Sequence, residues 1–189
     1  ISASIGQGYV NVTPLQMAVG YSAFANGGFH IEPSYITRIV DDRGKTLEES
    51  QPTRAGAGAE RVIDPRNAFL MTNLMQDVIR YGTATKAKSL GRRDLAGKTG
   101  TTNDFIDAWF AGYQPSLVAV AWIGFDTPRS LGKGETGGQA ALPMWMGYMA
   151  QALKGVPEAK LLPPAGVISA KINPESGLRD SGPTGTLTE

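Results

Sequence analysis

The chain has 189 residues, with 18 basic against 17 acidic side chains and a net charge of +1. That length fits one domain or most of one, and the charge balance gives no electrostatic argument for nucleic acid or an anionic membrane. With no cysteine and a single histidine, disulfides, thiolate catalysis, Cys-ligated metals and a multi-histidine metal site within one chain are excluded. The apolar fraction, 41%, suffices for a packed core, and no apolar run approaches the roughly 20 residues that span a bilayer. The chain starts at Ile1, without Met and without a charged, signal-like segment, so it reads as a piece of something longer.

A glycine-containing lead-in, Ser4-Ile5-Gly6-Gln7-Gly8, precedes the first helix. Thr13 suits its N-cap, Pro14 its first turn, and Gln16 completes a Thr-x-x-Gln capping box. This helix is predicted to end at Asn26-Gly27-Gly28. Tyr35-Ile36-Thr37-Arg38-Ile39-Val40 followed by Asp41-Asp42-Arg43-Gly44 predicts a hairpin, and residues 50–60 a surface loop. Asp64-Pro65 opens a second helix with Ala68, Met71, Leu74, Met75 and Val78 as its apolar stripe, closed by Gly82. A short helix is expected across residues 83–89, then strands over 95–102, 108–113 and 117–125, the last two joined tightly by Pro115-Ser116. The run Leu117-Val118-Ala119-Val120-Ala121-Trp122-Ile123 is apolar on both faces, which predicts the middle of a covered sheet. After a glycine-rich loop over residues 127–140, Pro143 opens a third helix with Leu142, Trp145, Met146, Met149 and Leu153 on one face. Beyond Gly155 the prolines Pro157, Pro163, Pro164, Pro174 and Pro183 predict an extended tail.

The chemistry concentrates in Lys98-Thr99-Gly100-Thr101-Thr102. An ammonium, hydroxyls on both sides of a glycine and bare backbone suit a strand edge that holds a carboxylate, with Gly100 leaving a substrate backbone room to approach. A phosphate-binding loop needs four residues between its first glycine and Gly-Lys-Thr. Here five, Arg92 to Ala96, separate Gly91 from Gly97, and the segment itself reads as strand rather than as a strand-to-helix turn.

The better match is the third signature of the penicillin-recognising serine acyltransferases, which accompanies a Ser-x-x-Lys and a Ser-x-Asn. Lys98-Thr99-Gly100-Thr101-Thr102-Asn103-Asp104, then Asp107-Ala108-Trp109-Phe110-Ala111-Gly112-Tyr113 and Trp122-Ile123-Gly124-Phe125-Asp126, resembles the transpeptidase domain of the class A penicillin-binding proteins. So does Thr13-Pro14-Leu15-Gln16-Met17-Ala18 with Tyr21-Ser22-Ala23-Phe24-Ala25-Asn26-Gly27-Gly28, and the resemblance covers roughly residues 1–153. It implies an α/β (α+β) penicillin-recognising fold, an antiparallel sheet flanked by helices. Residues 1–155 would be the C-terminal portion of the transpeptidase domain and residues 156–189 its extended tail.

The implied activity is acyl transfer: a serine attacks the carbonyl of a terminal D-Ala-D-Ala, D-Ala leaves, and an amine of a neighbouring peptidoglycan stem peptide takes the acyl group. β-Lactam antibiotics mimic that dipeptide. Carried over by position, Lys98 and Thr101 are the catalytic residues and Thr99, Gly100, Thr101 and Thr102 hold substrate. Lys98 biases the cleft positive and assists proton movement, Thr99 and Thr101 hold the carboxylate, and the Thr101 N–H is one oxyanion donor. No cofactor and no metal are implied. The setting is extracytoplasmic, with a membrane anchor elsewhere in the full-length protein.

The one Ser-x-x-Lys of the chain, Ser130-Leu131-Gly132-Lys133, lies in the glycine-rich loop, whereas the family's serine begins a buried helix. It is read as a decoy, and the nucleophile is expected upstream of Ile1, so the isolated chain is expected to be inactive. The first two strands of the sheet would also precede Ile1. The strand over 117–125 then has an open edge, and association by strand pairing, swapping or union with the rest of the protein is expected. The alternative is a non-catalytic binding or regulatory module that keeps the carboxylate-holding strand. His30 is read as a loop histidine, Asp104 and Asp107 as turn residues, Trp109, Trp122 and Trp145 as core, Arg92-Arg93 as solvated surface, and the methionines as helix packing.

Overall fold

The computed structural model describes residues 12–173 and 175–179. The glycine-containing lead-in and, in the tail, Pro174 and Pro183 lie outside the described residues. The architecture is α+β. Three principal helices, α1 (Pro14–Ala25), α2 (Pro65–Arg80) and α3 (Leu142–Ala152), accompany a hairpin of β1 (Arg38–Val40) and β2 (Thr46–Glu49) and a sheet of β3 (Ala96–Thr101), β4 (Ala108–Gln114) and β5 (Leu117–Ile123).

The local signals act as expected. Thr13 Oγ1 accepts from the Gln16 N–H at 3.2 Å and Gln16 Oε1 accepts from the Thr13 N–H at 2.9 Å, closing the capping box of α1. Asp64 Oδ1 accepts from the Arg66 N–H at 2.9 Å at the start of α2. Hydrogen bonding to Arg66 holds the exposed Asp64 carboxyl down at about 2. In the hairpin turn, Asp41 Oδ1 accepts from the N–H groups of Arg43 at 2.9 Å and Lys45 at 2.8 Å.

The main sheet is antiparallel in the order β3-β4-β5, with Thr99 opposite Phe110 and Phe110 opposite Ala121. Its two faces carry different helices. Tyr21 and Phe24 of α1 and Met75 of α2 pack on Ala96, Tyr113 and Val118, whereas Leu142, Trp145 and Met149 of α3 pack on Ala108, Phe110 and Ala121. β4, buried at six of its seven positions, is therefore the central strand. β5 is two-sidedly apolar because helices reach both of its faces, yet among the described residues it pairs with β4 alone. Among the described residues its other edge is therefore unpaired.

The aromatic core is built against missing side chains. Phe110 and Trp145 meet edge to face at 4.8 Å between centroids. A Cβ on Gly112 would lie 2.7 Å from Phe110 Cε1 and 2.8 Å from Trp145 Cζ2, and one on Gly97 would lie 2.8 Å from Phe110 Cζ. Gly112 is thus fixed by ring contact, and Gly97 by the Phe110 ring together with the facing Ala111 carbonyl oxygen at 2.8 Å, rather than by turn geometry.

Side-chain packing departs from expectation at several positions. In α2 the inward face is Ala68, Thr72, Met75, Gln76 and Ile79, while Met71 and Leu74 are exposed. Polar groups take the inward positions because they are satisfied there: Thr72 Oγ1 and the Tyr113 hydroxyl are 2.8 Å apart, and Gln76 Oε1 accepts from Arg80 at 3.0 Å. Trp122 is over a third exposed, as is Met144, and neither is core.

Arg92 is not solvated surface. Its guanidinium grips the Asp94 carboxylate bidentately at 2.9 and 2.6 Å, and it donates to the carbonyls of Val156 at 2.7 Å and Pro157 at 3.1 Å. Asp94 Oδ2 also accepts from the Ala159 N–H at 2.9 Å, so one ion pair fastens the chain after α3 to the strand that follows it. The Asp94 side chain is 2% exposed and that of Arg92 14%. Arg92→Ala would leave a buried carboxylate without its partner, and should lower stability by about 3 kcal/mol in urea denaturation, against less than about 0.5 kcal/mol for Arg93→Ala.

A cavity of about 200 Å³ between α1, α2 and the tail is lined by Phe24, Ala68, Thr72, Tyr113, Leu161 and Leu162. Burial there pushes the Tyr113 hydroxyl up to about 12, outweighing the downward pull of its bond to Thr72. The folded state keeps this proton after the unfolded chain, near 10, has lost it. The contribution is whole below about pH 10 and is lost as pH rises to about 12. Tyr113→Phe should flatten that decline in a pH series of thermal unfolding.

Candidate functional site

Strand alternation divides the Lys98–Thr101 segment between the two faces of the sheet. Lys98 and Gly100 fall with Ala111, Trp109 and Trp122 on the α1–α2 face, and Thr99 and Thr101 with Phe110 and Ala108 on the α3 face. β3 pairs only with β4 among the described residues, so its outer edge offers backbone donors and acceptors to a chain lying alongside. The Lys98 ammonium is exposed and donates to the Thr99 carbonyl at 2.9 Å.

Each hydroxyl beside Gly100 has a partner from another element. Thr99 Oγ1 lies 2.7 Å from Thr83 Oγ1, in the connection leaving α2. Thr101 Oγ1 accepts from the Gly137 N–H at 3.0 Å. Gly137 begins the wide turn Gly137–Ala141 that leads into α3. A Cβ on Gly137 would run into the Trp109 carbonyl oxygen and lie 2.5 Å from that of Gly100; one on Gly138 would lie 2.9 Å from the Thr83 carbonyl. Nearby, the Lys86 ammonium donates to Gln139 Oε1. The site is thus a strand edge backed by Thr83, Lys86 and the Gly137-Gly138-Gln139 turn, none of which stood out in the sequence. The one available signal was the adjacent pair of glycines ahead of Pro143.

Gly100 has a further reason to be glycine: its Cβ would lie 3.1 Å from Trp109 Cβ. Trp109 and Trp122 are 5.9 Å apart on that face, and Trp122 Nε1 donates to Asp107 Oδ1 at 2.8 Å. The Thr102 hydroxyl faces the turn, where it accepts from the Asp107 N–H at 2.7 Å. Asp107 is therefore a turn residue, as read. Asp104 shapes the same turn with a φ of 58°.

Ser130 sits in the loop, not at a helix start. Its hydroxyl donates to the Asp104 carbonyl at 2.7 Å and accepts from the Gly132 N–H at 3.3 Å. The neighbouring Leu131 N–H donates to the Phe105 carbonyl at 2.7 Å. Ser130 is a fastener between two turns. His30 is loop-borne and 3.8 Å from Glu32.

Because backbone oxygens meet any Cβ at position 137, Gly137→Ala must displace either β3 or the turn before α3. A loss of about 2 kcal/mol in chemical denaturation is expected, several times that of Gly134→Ala corrected for its positive φ of 88°.

The family described as Penicillin binding protein transpeptidase domain matches residues 1–139. Penicillin-binding protein 1A of Neisseria flavescens is 48% identical over 168 residues, covering 89% of this chain and 21% of that protein. Penicillin-binding protein 1A of Pseudomonas aeruginosa is 38% identical over 219 residues, covering 92% and 27% respectively. The chain therefore spans between a fifth and about a quarter of these relatives. Among solved structures, penicillin-binding protein 1A from Haemophilus influenzae superposes with a TM-score of 0.88 at 34% identity, covering 94% of this chain and 32% of that one. Penicillin-binding protein A of M. tuberculosis, as its imipenem acyl-enzyme complex, superposes with a TM-score of 0.60 at 27% identity over 80% of this chain and 34% of that one. With its antiparallel sheet, its Lys-Thr-Gly-Thr edge strand and these relatives, the chain belongs to the penicillin-binding protein transpeptidase-domain family.

Proposed function

We propose that β3 is the substrate-holding wall of a serine-type D,D-transpeptidase that cross-links peptidoglycan. The observation that carries this reading is the open edge of β3, with an exposed ammonium and two hydroxyls flanking a glycine. Lys98 supplies positive potential and assists proton movement, Thr99 and Thr101 hold the terminal carboxylate of D-Ala-D-Ala, and the Thr101 N–H donates to the developing oxyanion. Gly100 lets the substrate backbone approach, and Thr102 bounds the site through the turn.

In this reading the nucleophilic serine belongs to sequence outside these 189 residues. Support comes from Ser130, whose hydroxyl is spent on the Asp104 carbonyl in a loop and has no helix to present it. Residues 1–155 are then the C-terminal portion of the transpeptidase domain and 156–189 its tail, with the open edge of β5 met by the rest of the domain or by a second copy. The full-length protein is anchored and works outside the cytoplasm, on stem peptides and with β-lactams as inhibitors. In this reading the anchor belongs to another part of the full-length protein; among the described residues no helix is long and apolar enough to cross a membrane. By itself the chain is inactive.

A fluorescent penicillin tests this on the full-length protein. Covalent labelling is expected, slowed about 100-fold or more by Lys98→Ala and unchanged by Ser130→Ala. No labelling of the parent protein would leave the non-catalytic module as the reading, and loss of labelling in Ser130→Ala would return the nucleophile to this chain.

A further inference from the structure

We infer that Thr83 is a positioning residue that aims and polarises the hydrogen of the Thr99 hydroxyl toward the bound carboxylate. The inference rests on the proposed function and deepens it. Thr83 Oγ1 and Thr99 Oγ1 are 2.7 Å apart, a normal hydroxyl–hydroxyl hydrogen bond in which either oxygen can donate. The direction decides what Thr99 can do. If Thr99 donates to Thr83, only its lone pairs face the cleft, and they repel an anion. If Thr83 donates to Thr99, the Thr99 hydrogen is free for the anion.

An anion at the strand edge selects the second direction, because only then is its charge met by a hydrogen. The result is a chain, Thr83 O–H to Thr99 O–H to carboxylate, in which each bond polarises the next. Thr101 shows the same arrangement with a fixed donor: its oxygen accepts from the Gly137 N–H, which cannot reverse, so its hydrogen is also left to donate. Both hydroxyls beside Gly100 therefore have an acceptor position filled from behind, one by backbone and one by Thr83. The fold holds Thr83 in place independently of ligand. It lies just past the Tyr81 cap of α2, precedes the buried Ala84, and has its carbonyl against the Gly138 backbone, where a Cβ would approach within 2.9 Å. Thr83 itself is exposed, so its hydroxyl can be removed without opening the core.

The test measures second-order acylation of the full-length protein by benzylpenicillin and by its methyl ester, in wild type, Thr83→Val and Thr83→Ser. Thr83→Val should slow acylation by the carboxylate about 3- to 10-fold, the range of one hydrogen bond to a charged acceptor's partner, and change the ester reaction less than about 2-fold. Thr83→Ser, which keeps the hydroxyl, should restore the wild-type rate. Equal slowing with both compounds would show a structural role and overturn the inference, as would a Thr83→Val rate equal to wild type. If Thr83→Val does not fold, Thr83→Ala stands in for it under the same criteria. A wild-type protein that no penicillin acylates would instead overturn the proposed function, and this inference with it.

Discussion

Phe110 and Trp145 meet across a strand that has no side chain at the point of contact, and the geometry of the site follows from that meeting. Gly112 and Gly97 leave the space the two rings occupy; a methyl group at either position would strike Phe110, and at Gly112 would strike Trp145 as well. The close approach brings α3 down onto the middle of the sheet. Its leading turn is then carried against β3, and the Gly137 N–H reaches Thr101 Oγ1. Fixing the helix by its large buried residues thus sets a hydrogen bond at the strand edge, because close-packed interiors transmit position rather than absorb it.

The second constraint works from the other end of the same strand. Asp94 is buried two residues before β3 begins and is matched by Arg92, which also binds carbonyls of the chain after α3. A charge pair taken out of water is tolerable only when its remaining hydrogen-bonding positions are filled, and here the tail backbone fills them. The start of β3 and the end of α3 are therefore tied together. The strand that offers Lys98, Thr99 and Thr101 is held at one end by this pair and from behind by Thr83 and Gly137.

Much of the local structure was legible because its causes are local. The capping box of Thr13 and Gln16, the Asp64-Pro65 start of α2, the Asp41 turn and the Pro115-Ser116 connection depend on residues within a few positions of one another. The inward face of α2 departs from its apolar stripe because apolar spacing counts hydrophobic residues, whereas the packed face includes Thr72 and Gln76, whose polar groups are satisfied by Tyr113 and Arg80. Arg92 is partly buried for the same reason: its charge is met by Asp94 and by the carbonyls of Val156 and Pro157, none of which its local sequence pattern reveals.

The sequence by itself determined the kind of edge this chain carries. Lys98, Thr99, Gly100 and Thr101 are adjacent, strand alternation sorts them between two faces, and their flanks identify the family. Tertiary structure alone decided which partners the hydroxyls of Thr99, Thr101 and Ser130 meet. Thr83 and Thr99 are sixteen positions apart, Gly137 and Thr101 thirty-six, and Ser130 and Asp104 twenty-six. No spacing rule links such residues, because their contacts exist only after helices on both faces have closed on the sheet.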